Sequence, residues 1–327
     1  MPSQRKHFPS VAVLLSLGLS GCCSCLHGPE EVPLPRVSID DQGGRVVILA
    51  GFQPVAEYFY RDPEISRPYF AHVHAPCGEQ VTRRHPPGPG DATDHRRLHP
   101  GIWMAFGDLG GADDWRLKAK VESDGLVGLS QEGDGRGVFT VRNRYLSADG
   151  SRTICTETCK YTILVRPKGY LLIWDSTFVS DTEDFYFSET MDEMGLAFRV
   201  ATPIVVKSRK GGRILDSKGR VNEVQVREEL AEWCDYSGTV NGKAVGLMIA
   251  VDPSETPLPW WHARDYGFLA ANPFRSHPER LDFTRVVVKK GEPYRIRFGV
   301  WIHGDGSDEP FEPRLAYEAF LRLARDA

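Results

Sequence analysis

The chain has 327 residues, of which 41% are hydrophobic and 26% are charged, and this composition is ordinary for a globular protein. Its formal net charge at pH 7 is −4, and no basic patch stands out, so nucleic acid is not an expected partner. The length fits one large domain or two smaller ones, and all-β domains often reach this size as a single unit.

The first 21 residues resemble an export signal. Arg5 and Lys6 precede a short apolar run over residues 11–19, and the order Leu-Ser-Gly-Cys follows, ending at Cys22. A basic start, a short apolar run and small residues at a cleavage point are typical of a signal peptide. The Leu-Ser-Gly-Cys order resembles a bacterial lipobox, which implies lipidation of Cys22. The alternative is an ordinary secretory signal that is cut nearby.

Either signal predicts that the protein leaves the cytosol, as a periplasmic or outer-membrane lipoprotein if Cys22 is modified. Residues 22–37 are rich in Pro and small residues, and they are expected to form a flexible tether. The membrane would then be contacted only through the lipid anchor. No oligomeric state follows from the sequence.

Residues 38–327 are predicted to form a single all-β domain. Gly, Asp, Asn and Pro recur about every ten residues there, and short alternating or β-branched runs lie between them. This pattern predicts a large two-sheet antiparallel β-sandwich. One helix, Pro313–Asp326, is predicted at the C-terminus from an apolar stripe that includes Leu315 and Phe320.

The domain contains four cysteines, Cys77, Cys155, Cys159 and Cys234. An exported protein can pair its cysteines, and four of them allow three connectivities. Cys155 and Cys159 are four residues apart in a predicted strand, roughly 13 Å, which is too far for a bridge between them. The pairing is otherwise left open.

The segment Thr93–Arg116 is the first candidate for chemistry. It holds His95 and His99 among several acidic and glycine residues. Histidine exchanges protons near neutral pH, and nearby carboxylates can orient it, so both histidines are candidate acid–base residues. Trp103 and Asp108 are candidate substrate contacts in the same segment. The alternative is a turn-rich loop with solvated charges, and its Trp side chains would anchor this loop to the core.

The segment Pro257–Phe274 combines aromatic rings with polar side chains. A mostly apolar pocket with a few placed polar groups is the usual form of a ligand site. Aromatic faces there would cover the C–H faces of a sugar, and the polar groups would bond its hydroxyls. The alternative is a packed corner with its Trp rings in the core and an ion pair between neighbouring charged residues. The expected substrate-binding residues are Trp261, Arg264, Tyr266 and Asn272, and His262 and Asp265 form a second candidate acid–base group.

Two weaker candidates lie elsewhere. Glu189 follows an apolar strand and could supply a carboxylic acid with a raised pKa, although a solvated turn is the competing interpretation. His303 ends a predicted strand beside a turn, where either a pocket rim, with a substrate contact, or an ordinary surface histidine is expected.

The favoured expectation is a site without a cofactor, and a metal site is the alternative. His72 and His74 are two residues apart in an apparent strand, so their rings would lie on one face. A His-x-His pair on a strand is a familiar metal-ligand arrangement, and His95 and His99 could complete the ligand set.

Three motifs resemble the PmoA-like family, an exported bacterial family of unknown function named after a methane monooxygenase subunit. They cover residues 94–116, 261–274 and 297–306, within an overall resemblance that runs from about residue 40 to 305. Every element of the pattern Trp-His-x-Arg-Asp-Tyr-Gly-x-x-x-Ala-Asn-Pro-Phe is present in the second motif. The first motif departs from the family at Gly110 and Asp114, where Asn and an aromatic residue are common.

The resemblance implies an exported β-sandwich that occurs in carbohydrate-degrading contexts, similar in fold to the galactose mutarotase-like super-sandwich. It does not imply methane oxidation, because that subunit crosses the membrane several times and this chain has no second long apolar run. We therefore expect a carbohydrate-active enzyme, a glycoside hydrolase, lyase or mutarotase-like protein, that acts on a glycoside or sugar through His and carboxylate chemistry. The alternatives are a non-catalytic carbohydrate-binding module and a His-ligated, oxygenase-like metal enzyme.

Overall fold

A computed structural model describes residues 1–2, 33–131, 133, 135–188, 194–274 and 285–326. The contacts define one compact unit over Leu34–Ala327. In chain order its strands are β1 (Val37–Asp41), β2 (Arg45–Ala50), β3 (Gln53–Phe59), β4 (Tyr69–Ala71), β5 (Ile102–Phe106), β6 (Val121–Gln131), β7 (Arg136–Leu146), β8 (Thr153–Arg166), β9 (Gly169–Val179), β10 (Phe185–Phe187), β11 (Met194–Arg199), β12 (Arg213–Asp216), β13 (Trp233–Val240), β14 (Lys243–Val251), β15 (Trp260–Arg264), β16 (Phe268–Asn272), β17 (Val286–Val288) and β18 (Tyr294–His303). The α-helices are α1 (Asn222–Val226) and α2 (Pro313–Leu323).

Two large antiparallel sheets face each other. The first has the order β1-β2-β3-β4-β5-β11-β16-β15, and the second has the order β12-β13-β14-β18-β9-β8-β7-β6. A small third sheet pairs β10 with β17. The predicted two-sheet antiparallel sandwich is therefore confirmed.

Apolar side chains are also buried on parts of the outer faces of the two sheets. The core between the sheets takes Ile48 from the first and Ile302 from the second. On the outer face of the second sheet, α2 packs Phe320 against Trp301. On the outer face of the first sheet, Trp103 packs in a separate aromatic cluster beneath long loops. Burial of each such large side chain stabilises the fold by about 1.5–3 kcal/mol.

The predicted C-terminal helix is confirmed, but it ends at Leu323 and uses a different stripe. Its buried residues are Ala316 and Phe320, whereas Leu315 is exposed. Phe320 lies directly over Gly299, where a Cβ atom would come within 2.5 Å of its ring. The helix can therefore approach this closely only because the strand has no side chain at that point.

The four cysteines of the unit are free thiols. Cys155, Cys159 and Cys234 are buried, and burial raises the pKa of each thiol well above its usual value. Such thiols are poor nucleophiles, so these three cysteines act as small core residues.

The expected pair of histidines on one strand face is not formed. Strand β4 ends at Ala71, and His72 has a left-handed backbone with a φ of 51°. The alternation that would place the rings of His72 and His74 on one face is thus interrupted. Among the described residues, no three His, Cys, Asp or Glu side chains come together as a metal-ligand group. In the same described part of the chain, no helix is long and apolar enough to cross a membrane.

Asp114 is a buried carboxyl just beyond β5. It is 2% exposed, and its Oδ1 atom accepts a hydrogen bond from the backbone N–H of Phe106 at 2.9 Å. Its Oδ2 atom has no hydrogen-bond partner within the described residues. Burial raises the pKa of Asp114 to about 8, although the hydrogen bond from Phe106 and the charge of Arg67 oppose that shift.

We expect the substitution D114N to flatten the pH dependence of stability. The folded-state pKa lies above the ordinary value of 3.8, so the folded protein loses stability as the pH rises from about 4 through 8. Asparagine keeps the acceptor for Phe106 and cannot ionise. Thermal unfolding followed by circular dichroism at several pH values should show a steeper alkaline fall in Tm for the wild type. Parallel Tm profiles would contradict this account.

Candidate functional site

Four aromatic rings stack on the outer face of the first sheet. The ring centroids of His95 and His99 are 4.7 Å apart, those of His99 and Trp103 are 5.1 Å apart, and those of His99 and Phe268 are 4.7 Å apart. Strand β5 supplies Trp103 and β16 supplies Phe268, whereas the histidines come from the loop before β5. His99 is 6% exposed, whereas half of the His95 side chain is exposed. His95 therefore forms the solvent end of the stack.

Arg199, at the end of β11, joins both histidines to one carboxylate. Its Nη1 and Nη2 atoms donate to Oδ2 and Oδ1 of Asp94, each at 3.1 Å. The His95 Nδ1 atom lies 3.1 Å from Asp94 Oδ2, and Arg199 Nη1 lies 3.4 Å from His99 Nδ1. The guanidinium also lies 4.6 Å from the centre of the Tyr266 ring. One buried arginine thus positions a carboxylate, two imidazoles and a phenol.

A second buried arginine holds the loop that carries the histidines. Arg83 is 2% exposed and donates to the backbone oxygens of Ala92, Asp94 and His99 at 2.8–3.1 Å. Its own backbone N–H donates to the oxygen of Arg199 at 2.9 Å. Arg83 therefore fixes the loop to the strand that carries Arg199.

The two histidines of the stack are electrostatically different. Burial, followed by the charge of Arg199, holds the pKa of His99 well below its usual range, so His99 stays neutral near pH 7. An arginine can only donate, so the Nδ1 atom of His99 accepts and its proton is on Nε2. The two predicted acid–base residues therefore differ in their surroundings, because His99 is buried and His95 is at the solvent end of the stack.

Asp94 stays ionised. Its partial burial opposes the charge, but the hydrogen bond with His95 and the charges of Arg199 and Arg83 outweigh this effect, so the pKa of Asp94 lies below its usual value. The carboxylate therefore accepts the Nδ1 proton of His95 and leaves the lone pair of that ring on Nε2. No described residue forms a hydrogen bond with His95 Nε2.

His262 lies on the same outer face of the first sheet and contacts Phe268. Its neighbours Trp261 and Ala263 lie in the core between the sheets, so strand alternation directs His262 outward. The His262 ring meets the edge of the Phe268 ring at 5.1 Å. Its Nε2 atom accepts a hydrogen bond from Arg264 Nε at 2.7 Å.

The predicted acid–base role of Asp265 is not supported by its position. Its Oδ1 atom accepts a hydrogen bond from the backbone N–H of Glu223 in α1 at 3.0 Å. The packed-corner alternative supposes an ion pair between Arg264 and Asp265, but Arg264 pairs with Glu223 at 2.8 Å instead. Asp265 thus anchors α1, and Arg264 links that helix to His262.

Four expected substrate contacts have structural positions instead. Trp261 is fully buried between the sheets, and its Nε1 atom donates to the oxygen of Ala231 at 3.1 Å. Asn272 is 1% exposed, and Trp103 is the buried floor of the aromatic stack. Asp108 accepts the backbone N–H of Gly111 and so closes a turn. Trp103, Trp261 and Asn272 cannot reach a ligand without movement of their surroundings, whereas Asp108 is partly exposed.

His303 lies on the opposite side of the sandwich. Its Nε2 atom is 2.7 Å from Asp235 Oδ1, and its ring stacks on Phe311 at 3.8 Å. The preceding Ile302 faces the core and Trp301 faces α2, so His303 lies on the outer face of the second sheet. The structure therefore does not bring His303 to the other histidines. Glu189 and Cys22 lie outside the described residues.

A cavity of about 480 Å³ opens beside the Asp94 carboxylate. A larger cleft of about 640 Å³ surrounds Arg67 and Arg144 elsewhere. No histidine of the described residues lines either space, but Asp94 and Arg199, which contact His95 and His99, line the smaller one. The sequence motifs predicted Tyr266, which lines the smaller cavity, as a substrate contact, but they did not predict Arg199. The sequence signal for Arg199 is a charged residue at the end of the apolar run of β11. Residues lining the smaller cavity include Arg83, Asp94, Arg199, Thr202, Lys207 and Tyr266.

We expect R199K to weaken the site while the fold is kept. Lysine retains the charge but lacks the planar fork that holds both Asp94 oxygens, and it stacks poorly on Tyr266. The free energy of unfolding in urea should fall by about 2 kcal/mol. The matched control is R209K, because Arg209 is exposed and no side-chain partner is found for it in the described part of the chain. Equal stability of the two variants would contradict the central role of Arg199.

Three solved structures with similarity to the chain are two galactose mutarotase-like proteins and a galactose mutarotase related enzyme. The first, from Lactobacillus casei, has a TM-score of 0.37 and 12% identity, over 82% of this chain and 100% of that chain. The related enzyme, from Lactobacillus acidophilus, has a TM-score of 0.34 and 9% identity, over 84% and 100%. The third, from Clostridium acetobutylicum, has a TM-score of 0.36 and 10% identity, over 83% and 99%. These scores are low, and we draw no functional argument from them.

No curated protein matches the chain significantly. A family model described as a family of unknown function, DUF6807, matches residues 45–310. The model does not refer to the PmoA-like family, so that resemblance stays a prediction. Because the match spans more than half of its length, the chain belongs to the DUF6807 family of unknown function.

Proposed function

We propose that the protein is an exported carbohydrate-active enzyme that acts on a sugar or glycoside by acid–base chemistry at His95. The observation that carries this proposal is the Asp94–His95 pair, held by Arg199 at the open end of an aromatic stack. A carboxylate that orients an imidazole and stabilises its protonated form is the arrangement that acid–base catalysis by histidine needs.

The proton acceptor in this proposal is His95 Nε2. Asp94 accepts the Nδ1 proton at 3.1 Å, so the opposite nitrogen carries the lone pair. As His95 takes a proton from the sugar, its ring becomes cationic, and the ionised Asp94 beside it offsets that charge. The proton returns to product or water in the second half of the cycle.

The proposed proton donor is Tyr266. Burial raises the pKa of its phenol, so the hydroxyl keeps its proton near neutral pH. The side chain lines the cavity, and its hydroxyl has no hydrogen-bond partner among the described residues. Its ring is fixed against the guanidinium of Arg199, which would also favour transient charge on the phenol oxygen. The proposed donor thus lines the cavity, and the proposed acceptor is hydrogen-bonded to Asp94, which lines the same cavity. Hydrolysis, elimination and anomer exchange all require such a donor and acceptor.

A non-catalytic sugar-binding module is supported less well. Such a module would use exposed flat rings as platforms, but the two expected platforms, Trp103 and Trp261, are both fully buried. A metal centre at His95 and His99 is also disfavoured. Arg83 and Arg199 already place two positive charges beside these rings, and they would repel a metal cation.

We expect H95Q to reduce kcat by about 10²–10⁴-fold with little change in sugar binding, because glutamine cannot exchange protons. A panel of glycosides and free sugars would be screened with the wild type, and the variant tested on each substrate found. The control is H303Q, which alters a histidine on the opposite face. Wild-type turnover that survives in H95Q would overturn the proposed role of His95. Binding without turnover of any sugar by the wild type would favour the module.

The export part of the proposal has a separate test. When the full chain is expressed in a bacterial host with labelled palmitate, the wild type should carry the label and fractionate with membranes. C22S should lose the label, because serine has no thiol to accept the lipid. Equal labelling of the two proteins, or retention of both in the cytosol, would refute lipidation at Cys22.

A further inference from the structure

We propose that the sugar bound in the cavity lined by Asp94 and Tyr266 carries a carboxylate, that is, a uronic acid or a chain of such acids. This inference rests on the proposed function, and it names the substrate class of the same site. Its basis is the charge of the cavity: of the side chains that line it, Arg83, Arg199 and Lys207 are cationic and Asp94 is anionic.

The single anion of the lining is already compensated. Asp94 receives two hydrogen bonds from Arg199, and its Oδ1 atom lies 3.6 Å from Arg83 Nη1. Subtracting the one anion from three cations leaves an excess of two positive charges. This excess occurs in a chain whose overall formal charge is −4, so the cavity differs in sign from the molecule as a whole.

The nearby acids outside the lining do not cancel that excess. Asp91 is paired with Arg84 at 2.7 Å, and Glu223 is paired with Arg264 at 2.8 Å. Asp265 is a further acid near the cavity rim, and its Oδ1 atom accepts a backbone hydrogen bond from α1. Even if the Asp265 charge is counted in full, the balance at the cavity stays positive.

Lys207 is the cation that remains available to a ligand. It is exposed, and no hydrogen bond or ion pair joins its ammonium group to another described residue. Its backbone N–H donates to the oxygen of Asp265 at 2.8 Å, so the main chain at Lys207 is fixed at the cavity rim. An ammonium on a fixed base, without a partner, can bind a carboxylate without first losing an internal ion pair.

The segment after Lys207 strengthens the positive field. Arg209 and Lys210 follow within three residues, and the segment 207–210 contains no acid. Both side chains are exposed. A positive rim steers anionic ligands toward a cavity and raises their association rate.

The two buried arginines of the lining also make the electrostatic potential of the cavity positive. Burial and then the charge of Arg199 lower the pKa of Arg83 to about 10. Two guanidinium groups are thus held close enough to repel each other, and a bound carboxylate would offset this repulsion. The volume of about 480 Å³ lies within the range of roughly 300–1,000 Å³ for small-molecule sites, so one or two sugar rings fit.

The experiment compares acidic disaccharides with their neutral methyl esters. Digalacturonic, diglucuronic and dimannuronic acids and their esters would be titrated into the full-length wild type by calorimetry. We expect at least one acid to bind about tenfold or more tightly than its ester, and this preference should shrink at high salt. Acids and esters that bind equally, or that all fail to bind, would overturn the proposal.

The variant test assigns the preference to one side chain. K207Q should weaken binding of the acid about fivefold and leave the ester unchanged, since only a charge is removed. The matched control is K290Q, because Lys290 is an exposed lysine between β17 and β18 in another part of the molecule. An equal response of K207Q and K290Q would refute the role of Lys207.

This proposal and the proposed function fail in different ways. If H95Q loses turnover of a neutral sugar and K207Q behaves as the wild type, the substrate class is wrong and the enzyme proposal stands. If acids bind in a Lys207-dependent manner but no sugar is ever converted, the enzyme proposal is wrong and the anion site stands.

Discussion

The pairing of Arg199 with Asp94 is the interaction on which the candidate site depends. At 2% exposure, the guanidinium has left water, and a buried charge of this kind is stable only with a close counter-charge. Asp94 supplies that charge from a loop that is about 100 residues away in sequence, so the pair fixes the loop to β11. The imidazole of His95 and the phenol of Tyr266 are then placed by their contacts with these two residues.

The fold follows from the sequence because the side-chain period of a strand is two. Short alternating runs between turn residues predicted the two antiparallel sheets, and an apolar stripe predicted α2. The order of the strands was not predictable, because it depends on pairing between distant segments. Strand β11 lies between β5 and β16, and this placement alone brings Arg199 to the loop before β5. No local pattern in the sequence carries that information.

The site was predictable only in part for the same reason. The motif around residue 95 gave both histidines and Trp103, but burial decided what each one does. The aromatic-rich segment that ends at Phe274 is a hairpin, β15 and β16, in which Tyr266 at the turn lines the smaller cavity whereas Trp261 and Asn272 are buried. Alternation along β15 sends Trp261 into the core and His262 outward, so neighbouring residues of one motif receive different tasks. The composition of the motif suggested one shared role for Trp261 and His262, but the alternation of the strand places them on opposite faces of the sheet.

The two histidines of the stack show how one spacing can serve two purposes. The backbone N–H of His99 donates to the oxygen of His95 at 2.8 Å, so the chain turns and the two rings stack. Because burial and Arg199 keep His99 neutral, its ring can lie beside the guanidinium without adding a charge. A cationic ring at that position would compete with Arg199 for Asp94. The neutrality of His99 therefore leaves the Asp94 carboxylate to Arg199 and His95, and the proposed proton exchange falls to the outer histidine.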